Sequence, residues 1–570
     1  MQSSSTIPAP TPLAGRADTL RHLAGETFDL LVVGGGITGA GIARDAALRG
    51  LRVALVERDD FASGTSSRSS RLVHGGVRYL EHGYLHLVFE ASRERRTLLR
   101  IAPHLVRPLE FTWPVYAGAR VPAWKLRAGL LLYDALALFR NVANHTPLSA
   151  ADVLDREPGL RREGLRGGAA YYDAATNDAR LTLANALAAA EAGAAVVNHA
   201  AVTELLRDGA RLRGAVVHDA LTGDRLTVRA RLVVNATGPW SDMLRGQDDP
   251  SAPPAVRGTK GVHIAVPRAR LGNAGALTLL SPLDGRVMFA LPAGSHAIVG
   301  TTDTPTAASP DEVRATAADV DYLLRSANAF FPDVGLTRRD VVSAWAGIRP
   351  LVASGYRAHG GATSASREHE ITVSAGGVVG VSGGKLTTYR SMAAEATDAA
   401  ERALGHRPTR SRTADVPLPG GDVASLDGEL AAARAAVGAG RDDIAERLVA
   451  AYGSRWRDVW ALAAADPALG APLVIGLPYV AAELVHAARS EMACTLADLL
   501  VRRTFLAFET TDAAVCVAER VAALVAPVLG WSAADERREV ERYRRDAARL
   551  FAVDAAEPDS GAIGGTAATG

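Results

Sequence analysis

The chain has 570 residues, 48% of them hydrophobic and 22% charged, with a formal net charge of +1. This is the composition of a globular protein with room for several domains, and the balanced charge excludes a general attraction to nucleic acid. Two cysteines, Cys494 and Cys516, exclude a disulfide scaffold and a paired-cysteine metal site; both are expected in helices, as core residues.

Residues 1–26 are rich in Ser, Thr, Pro and Ala and lack an apolar core segment, so a disordered leader is expected rather than a signal peptide. The segment from Phe28 to Glu57 organises the rest. It reads as a strand (Phe28–Val33), a glycine turn, a helix (Ile37–Arg49) and a second strand (Leu51–Val56) ending in an acid. Gly34, Gly36 and Gly39 have the G-x-G-x-x-G spacing, with Thr38 inside it, and Glu57 and Arg58 follow the second strand. In such a unit one glycine makes the turn, one lets backbone approach a pyrophosphate and one lets helix and strand pack closely. The helix N-terminus then faces the phosphates, and the acid accepts the ribose hydroxyls. A carboxylate there disfavours a 2′-phosphate. The chain is therefore an α/β protein with a dinucleotide-binding unit at its start.

Ser63, Thr65, Ser66, Ser67, Ser69 and Ser70 crowd the next stretch, followed by His74, Gly75, Gly76, Arg78 and Tyr79. Hydroxyls and glycine N–H groups at this density suit the phosphates and ring edge of a polyanionic cofactor. A helix is expected over 85–102. Residues 111–172 read as an inserted segment with helices near 124–140 and 149–157. Within it, Trp124, Leu126, Leu130, Leu131, Tyr133, Leu138 and Phe139 lie beside Lys125 and Arg127, a pattern open to an interfacial helix or a partly buried one. No window approaches the roughly 18 apolar residues of a membrane span.

Beyond Asp173 a helix is expected over 181–192, then a β-meander from 196 to 234 with turns at Asp208-Gly209 and Thr222-Gly223. Leu232–Gly238 is a buried strand ending at a second glycine turn. Residues 257–267 and 286–303 suit an antiparallel sheet, residues 310–330 a helix, and 341–350 a strand ending at Arg349. The strand at 371–381 runs into Gly383, Gly384, Lys385, Leu386 and Thr387, a third glycine junction that opens a helix. Residues 413–425 read as a linker, and from there to 552 the pattern is helical. The domains expected are a discontinuous nucleotide-binding domain (27–110, 173–255, 341–405), a substrate or cap domain (111–172, 256–340), a helical domain (411–552) and a disordered tail (553–570).

Arg78, Lys260, His263, Arg349, Arg367 and Lys385 are candidate substrate groups, because several basic residues beside a nucleotide site imply an anionic substrate. No metal site is expected; His82 and His86 are spaced one helical turn apart but lack carboxylate partners.

The segments DLLVVGGGITGAGIARDAALRG, TSSRSSRLVHGGVRYLEHG, LVVNATGPW, KGVHIAVP, GTTD, AGIRPL and SGGKLTTYR resemble, in order, the FAD-dependent, quinone-linked glycerol-3-phosphate dehydrogenases, over roughly residues 27–550. Thr38 and the long leader depart from the family pattern. The resemblance implies a Rossmann-like FAD domain of the glycine-oxidase/glutathione-reductase type, an antiparallel-sheet cap and an all-helical C-terminal domain. It implies FAD held by Gly34, Gly36, Thr38, Gly39, Glu57, Arg58, Thr65, Ser66, Ser67, Ser70, His74, Gly75, Gly76 and Gly238, and by Gly383, Gly384, Lys385, Leu386 and Thr387. It places substrate against Arg78, Tyr79, Lys260, His263, Arg349, Arg367 and Lys385. Hydride would pass from C2 of glycerol 3-phosphate to the flavin, with His263 as the first choice of base and Arg349 as an alternative that stabilises the developing alkoxide, and electrons would leave to membrane quinone. Phosphate binding would fall on Arg78, Arg349 and Lys385, the last two counted with His263 among the catalytic groups, with Arg367 at the pocket and Tyr79 lining the substrate site. Peripheral attachment to the cytoplasmic face of the inner membrane and a possible homodimer follow as expectations. Oxygen as acceptor, another anionic 2-hydroxy acid as substrate, and a non-catalytic binding role are the competing readings.

Overall fold

A computed structural model describes residues 15–77, 80, 83–306, 308–352 and 369–554. Arg78, Tyr79, His82 and Arg367 lie outside the described residues.

Two sheets carry the molecule. The first is built on the expected unit: strand Thr27–Val33, helix Ile37–Leu48 and strand Val53–Val56, the two strands parallel. Its order is His369–Val373, Val378–Gly383, Arg225–Asn235, Thr27–Val33, Val53–Val56, Ala195–Val197. The last five run parallel, and their runs of Val, Leu and Ala are covered on both faces, as parallel sheets require. Helices Ile37–Leu48, Asp178–Glu191 and Tyr389–Ala403 fill one face with Ile42, Ala46, Leu187 and Ala396. The β-meander Ala200–Asp208, Arg211–Asp219 and Arg225–Asn235 covers the other.

The leader departs from expectation. Arg16–Gly25 is a helix whose Leu23 is fully buried beneath the meander, and Arg16 pairs with Asp219 at 2.6 Å. A single apolar position per turn was too weak a signal to read as a helix.

The second sheet has ten strands, with order Thr304–Pro305, Val256–Pro267, His296–Gly300, Val287–Ala293, Ala276–Leu280, Val106–Tyr116, Leu165–Thr176, Leu72–Val73. Strand Ser343–Val352, expected in the nucleotide domain, belongs here instead. It pairs antiparallel with Val256–Ala265 along its whole length. Helix Ala317–Asn328 covers the outer face, starting later than expected because Thr316 and Asp319 form its capping box.

Residues 426–551 form seven α-helices, a π turn at Asp498–Arg503 and three short 3-10 turns. Their core, including Leu484, Leu496, Phe508 and Val521, is continuous with Phe111, Trp113, Tyr171 and Trp345 of the second sheet. Val553–Asp554, expected to begin the disordered tail, pairs with Ala315–Thr316. The cysteines also differ from expectation. Cys494 precedes the π turn outside any helix, and Cys516 is exposed in a short 3-10 turn.

Candidate active site

A cleft of about 400 Å³ lies between the two sheets. Its floor is the turn after the first strand. Gly34 has φ +106°, and a Cβ on Gly39 would overlap the Gly34 carbonyl oxygen, so the helix packs on the turn only without one. A Cβ on Gly36 would meet only Ser66 Oγ, at 3.3 Å, leaving this backbone open to the cleft. Ser66 Oγ accepts the Ile37 N–H at 3.0 Å. At the end of the second strand, the Glu57 carboxylate accepts the N–H groups of Gly35 (2.6 Å) and Asp59 (2.8 Å). Burial pushes this carboxyl up to about 7, partly opposed by the Asp59 and Gly35 N–H groups. Arg58 turns to the rim, where it pairs with Asp311 at 2.7 Å and lies over Trp240.

The serine run ties this floor to the opposite wall. Thr65 Oγ1 donates to the Ile348 carbonyl at 2.7 Å, next to Arg349. Ser70 Oγ and His263 Nε2 are 2.8 Å apart. The His74 N–H donates to Thr387 Oγ1 at 3.1 Å, joining this run to the third glycine junction, where Gly383 and Gly384 have φ +76° and +92°. Gly34, Gly36, Thr38, Glu57, Arg58, Thr65, Ser66, Ser70, His74, Gly238, Gly383, Gly384, Lys385, Leu386 and Thr387 all line the cleft, as do His263 and Arg349.

Gly39, Ser67, Gly75 and Gly76 do not line it. Ser67 is buried in the 3-10 turn. Gly75 is held from below, its N–H shared by Tyr133 Oη (2.9 Å) and Asp173 Oδ1 (3.0 Å), with Arg95 paired to Asp173. This buried Arg95–Tyr133–Asp173 support was missed. Tyr133 read as part of an apolar surface, and only its hydroxyl partners reveal its role.

Lys260 is a correction. Side chains alternate along a strand, so Gly261 and His263 face the cleft and Lys260 faces away. Its Nζ pairs with Asp319 at 2.7 Å on the helix-covered side.

Two large side chains sit over glycines. A Cβ on Gly261 would overlap the Arg349 guanidinium, and one on Gly300 would overlap the His263 ring. Arg349 is steadied by Asp303 (3.0 Å), Thr301 Oγ1 (2.9 Å) and the Thr302 carbonyl (3.1 Å). His263 stacks on Trp345, centroids 5.6 Å apart and planes 13° from parallel. Burial, then the charges of Arg349 and Arg71, push its imidazole down to about 3, so it is neutral at ordinary pH.

Among the described residues one group has the spacing of metal ligands: Asp60, His199 and Asp498. It was invisible in the sequence because its members are far apart. Arg502 and Arg503 pair with Asp60 at 2.5 and 2.6 Å, and Arg502 with Asp498 at 2.8 Å, so the carboxylates are neutralised by guanidinium groups.

The family model for FAD dependent oxidoreductase matches residues 29–399, and the model for the C-terminal domain of alpha-glycerophosphate oxidase matches 411–536. Glycerol-3-phosphate dehydrogenase 2 of Mycobacterium tuberculosis is 43% identical over 558 residues, covering 96% of this chain and 92% of that protein. The solved glycerol-3-phosphate dehydrogenase from Bacillus halodurans, complexed with FAD, is 32% identical with a TM-score of 0.76, covering 94% of this chain and 97% of that one. The chain belongs to the FAD-dependent glycerol-3-phosphate dehydrogenase family. The human mitochondrial glycerol-3-phosphate dehydrogenase, 39% identical, covers 91% of this chain and is matched over 73% of its own length. FAD is the cofactor of this family member, and the cleft fits it. The open backbone at Gly36 suits a pyrophosphate, the carboxylate of Glu57 suits a ribose, and the cleft continues to the Gly383–Gly384 junction.

Proposed function

We propose that the protein oxidises sn-glycerol 3-phosphate to dihydroxyacetone phosphate and passes the electrons to a membrane quinone. The observation that carries this reading is that Arg349 and His263, each seated over a glycine, face the same cleft as the nucleotide-binding turn. FAD, when bound, supplies the hydride acceptor. Arg349 and Lys385 clamp the phosphate together with Arg78, with Tyr79 lining the substrate site and Arg367 at the pocket. Such a clamp spends remote binding energy on holding C2 in place. His263 Nε2, the atom that Ser70 now engages, takes the C2 hydroxyl proton. Burial and then the Arg349 charge hold this imidazole down, and a bound phosphate offsets the Arg349 part.

Peripheral attachment has its own support. No helix is long and apolar enough to cross a membrane among the described residues. Helix Ala123–Leu136 buries Leu126, Leu130 and Tyr133 but exposes Trp124 (72%) and Leu131 (56%); Leu138 and Phe139 beyond it and Leu85 and Phe89 of helix Leu85–Ile101 are exposed too. Lys125, Arg127 and Arg140 are exposed on the same segment. Aromatic and apolar side chains beside basic ones suit the face of an anionic bilayer.

Steady-state turnover of sn-glycerol 3-phosphate with a short-chain quinone, under argon and under air, tests the reading. Quinone-dependent formation of dihydroxyacetone phosphate under argon is expected. Turnover that requires oxygen and yields peroxide would overturn the acceptor assignment.

A further inference from the structure

The Arg71 side chain enters an aromatic cage on the far side of Trp345, the ring on which His263 stacks. Its guanidinium carbon lies 3.8 Å from the Phe505 ring centroid, 4.8 Å from Phe508 and 5.3 Å from Trp345. The residue is 9% exposed, and its Nε and Nη2 have no hydrogen-bond partner. Its backbone is pinned next to Ser70, its N–H donating to Ser69 Oγ at 2.9 Å and its carbonyl accepting the Thr176 N–H at 2.9 Å. Trp345 links the cage to the cleft, stacking on His263 on one side and taking the Phe508 edge at 5.2 Å on the other. Ser343 Oγ donates to the Phe508 carbonyl at 2.6 Å, which fixes the cage against the strand that carries Trp345 and Arg349.

A buried cation is costly unless it is answered. Asp178, Glu509 and Tyr479 are the ionisable groups that face Arg71; burial pushes the Arg71 guanidinium down and both carboxyls up, so each charge here is costly to hold. Asp178 is also engaged by Ser69. Three ring faces supply the rest, because a guanidinium over a ring face is attracted by the ring quadrupole. In so low a dielectric the charge reaches further than it would in water.

We propose that Arg71 is a permanent positive charge, held behind His263 by Trp345 and by Phe505 and Phe508 of the C-terminal domain, that favours each negative charge formed in the cleft. Those are the developing alkoxide of the substrate and the anionic form of the reduced flavin. Arg71 does not line the cleft, so it is assigned as an electrostatic positioning residue. It also gives the C-terminal domain a part in the chemistry. The benefit to turnover rests on the function proposed above, but the test does not use glycerol 3-phosphate.

The test is the midpoint potential of the FAD holoprotein, by equilibration with a redox dye, in wild type, Arg71→Met and Arg71→Lys. Methionine fills the cage without charge, and lysine keeps the charge. Arg71→Met is expected to lower the reduced-to-oxidised ratio about tenfold at a given ambient potential, about 30 mV for a two-electron couple. Arg71→Lys should stay within about threefold of wild type. A folded, FAD-loaded Arg71→Met protein with an unchanged potential overturns the proposal. Should that variant not fold, Arg71→Gln takes its place under the same readout, and an unchanged potential in the folded, FAD-loaded Arg71→Gln protein overturns the proposal.

Discussion

Arg349 occupies a place that a single methyl group would deny it. Its guanidinium lies flat on Gly261, where a Cβ would overlap it, while Asp303, Thr301 and Thr302 hold its outer edge. Gly261→Ala should therefore displace Arg349, the proposed phosphate clamp, and leave the distant Gly36 and Glu57 end alone. A charge-assisted hydrogen bond contributes about 1.5–3 kcal/mol, so the KM for glycerol 3-phosphate should rise roughly ten- to a hundredfold, with FAD occupancy unchanged. Steady-state kinetics beside the flavin-to-protein absorbance ratio measures both, and an unchanged KM would contradict the assignment of Arg349. Legibility at this scale followed locality. Gly34, Gly36, Gly39 and Glu57 were readable because their spacing within one unit encodes the contacts they make. Lys260 was misread for want of one local rule: it stands three residues from His263, and strand parity puts the two on opposite faces. Arg71 was not readable at all, since its partners Phe505 and Phe508 are more than four hundred residues away in the chain.

At the scale of elements, the π turn Asp498–Arg503 reaches across to the loop that follows Glu57. Arg503 forks onto Asp60 (2.6 and 3.0 Å), Arg502 adds a bond at 2.5 Å, and Asn198 donates to Asp60 at 2.9 Å. His199 pairs with Asp498 at 2.9 Å, which pushes its imidazole up despite burial. This buried cluster fastens the C-terminal helices to the Glu57 end of the cleft. Removing one charge from such a set leaves its partners uncompensated, at a cost of about 3–5 kcal/mol. Asp60→Asn should lower the midpoint of thermal unfolding and speed proteolytic cleavage in the 413–425 connection. A melting curve and cleavage rate matching wild type would show that the cluster does not hold the domain. The strand Ser343–Val352 shows the limit of reading elements in chain order. Its apolar run was plain, but its sheet was decided by pairing with Val256–Ala265, about ninety residues earlier in the chain.

On the scale of the whole molecule, a nucleotide-binding sheet, an antiparallel second sheet and a helical third region were expected, because each sheet and bundle has its own periodicity. How the helical region packs was left open by the sequence. Trp345 and Phe111 of the second sheet pack with Phe508 and Leu484 of the C-terminal region, so the helical part is not a separate appendage. The exposed face around Trp124 and Phe139 bears on location. Wild-type protein should sediment with vesicles containing phosphatidylserine, and a Trp124→Glu, Phe139→Glu double variant should remain in the supernatant while keeping its rate with a water-soluble quinone. Equal sedimentation of both proteins would place the membrane contact elsewhere. The central claim, that this cleft oxidises glycerol 3-phosphate on its flavin, is tested most directly by mixing the FAD-loaded protein with sn-glycerol 3-phosphate under argon and following the flavin absorbance. Rapid bleaching by sn-glycerol 3-phosphate, and none by glycerol, lactate or glycine, is the predicted result; a flavin that stays oxidised in its presence would contradict it.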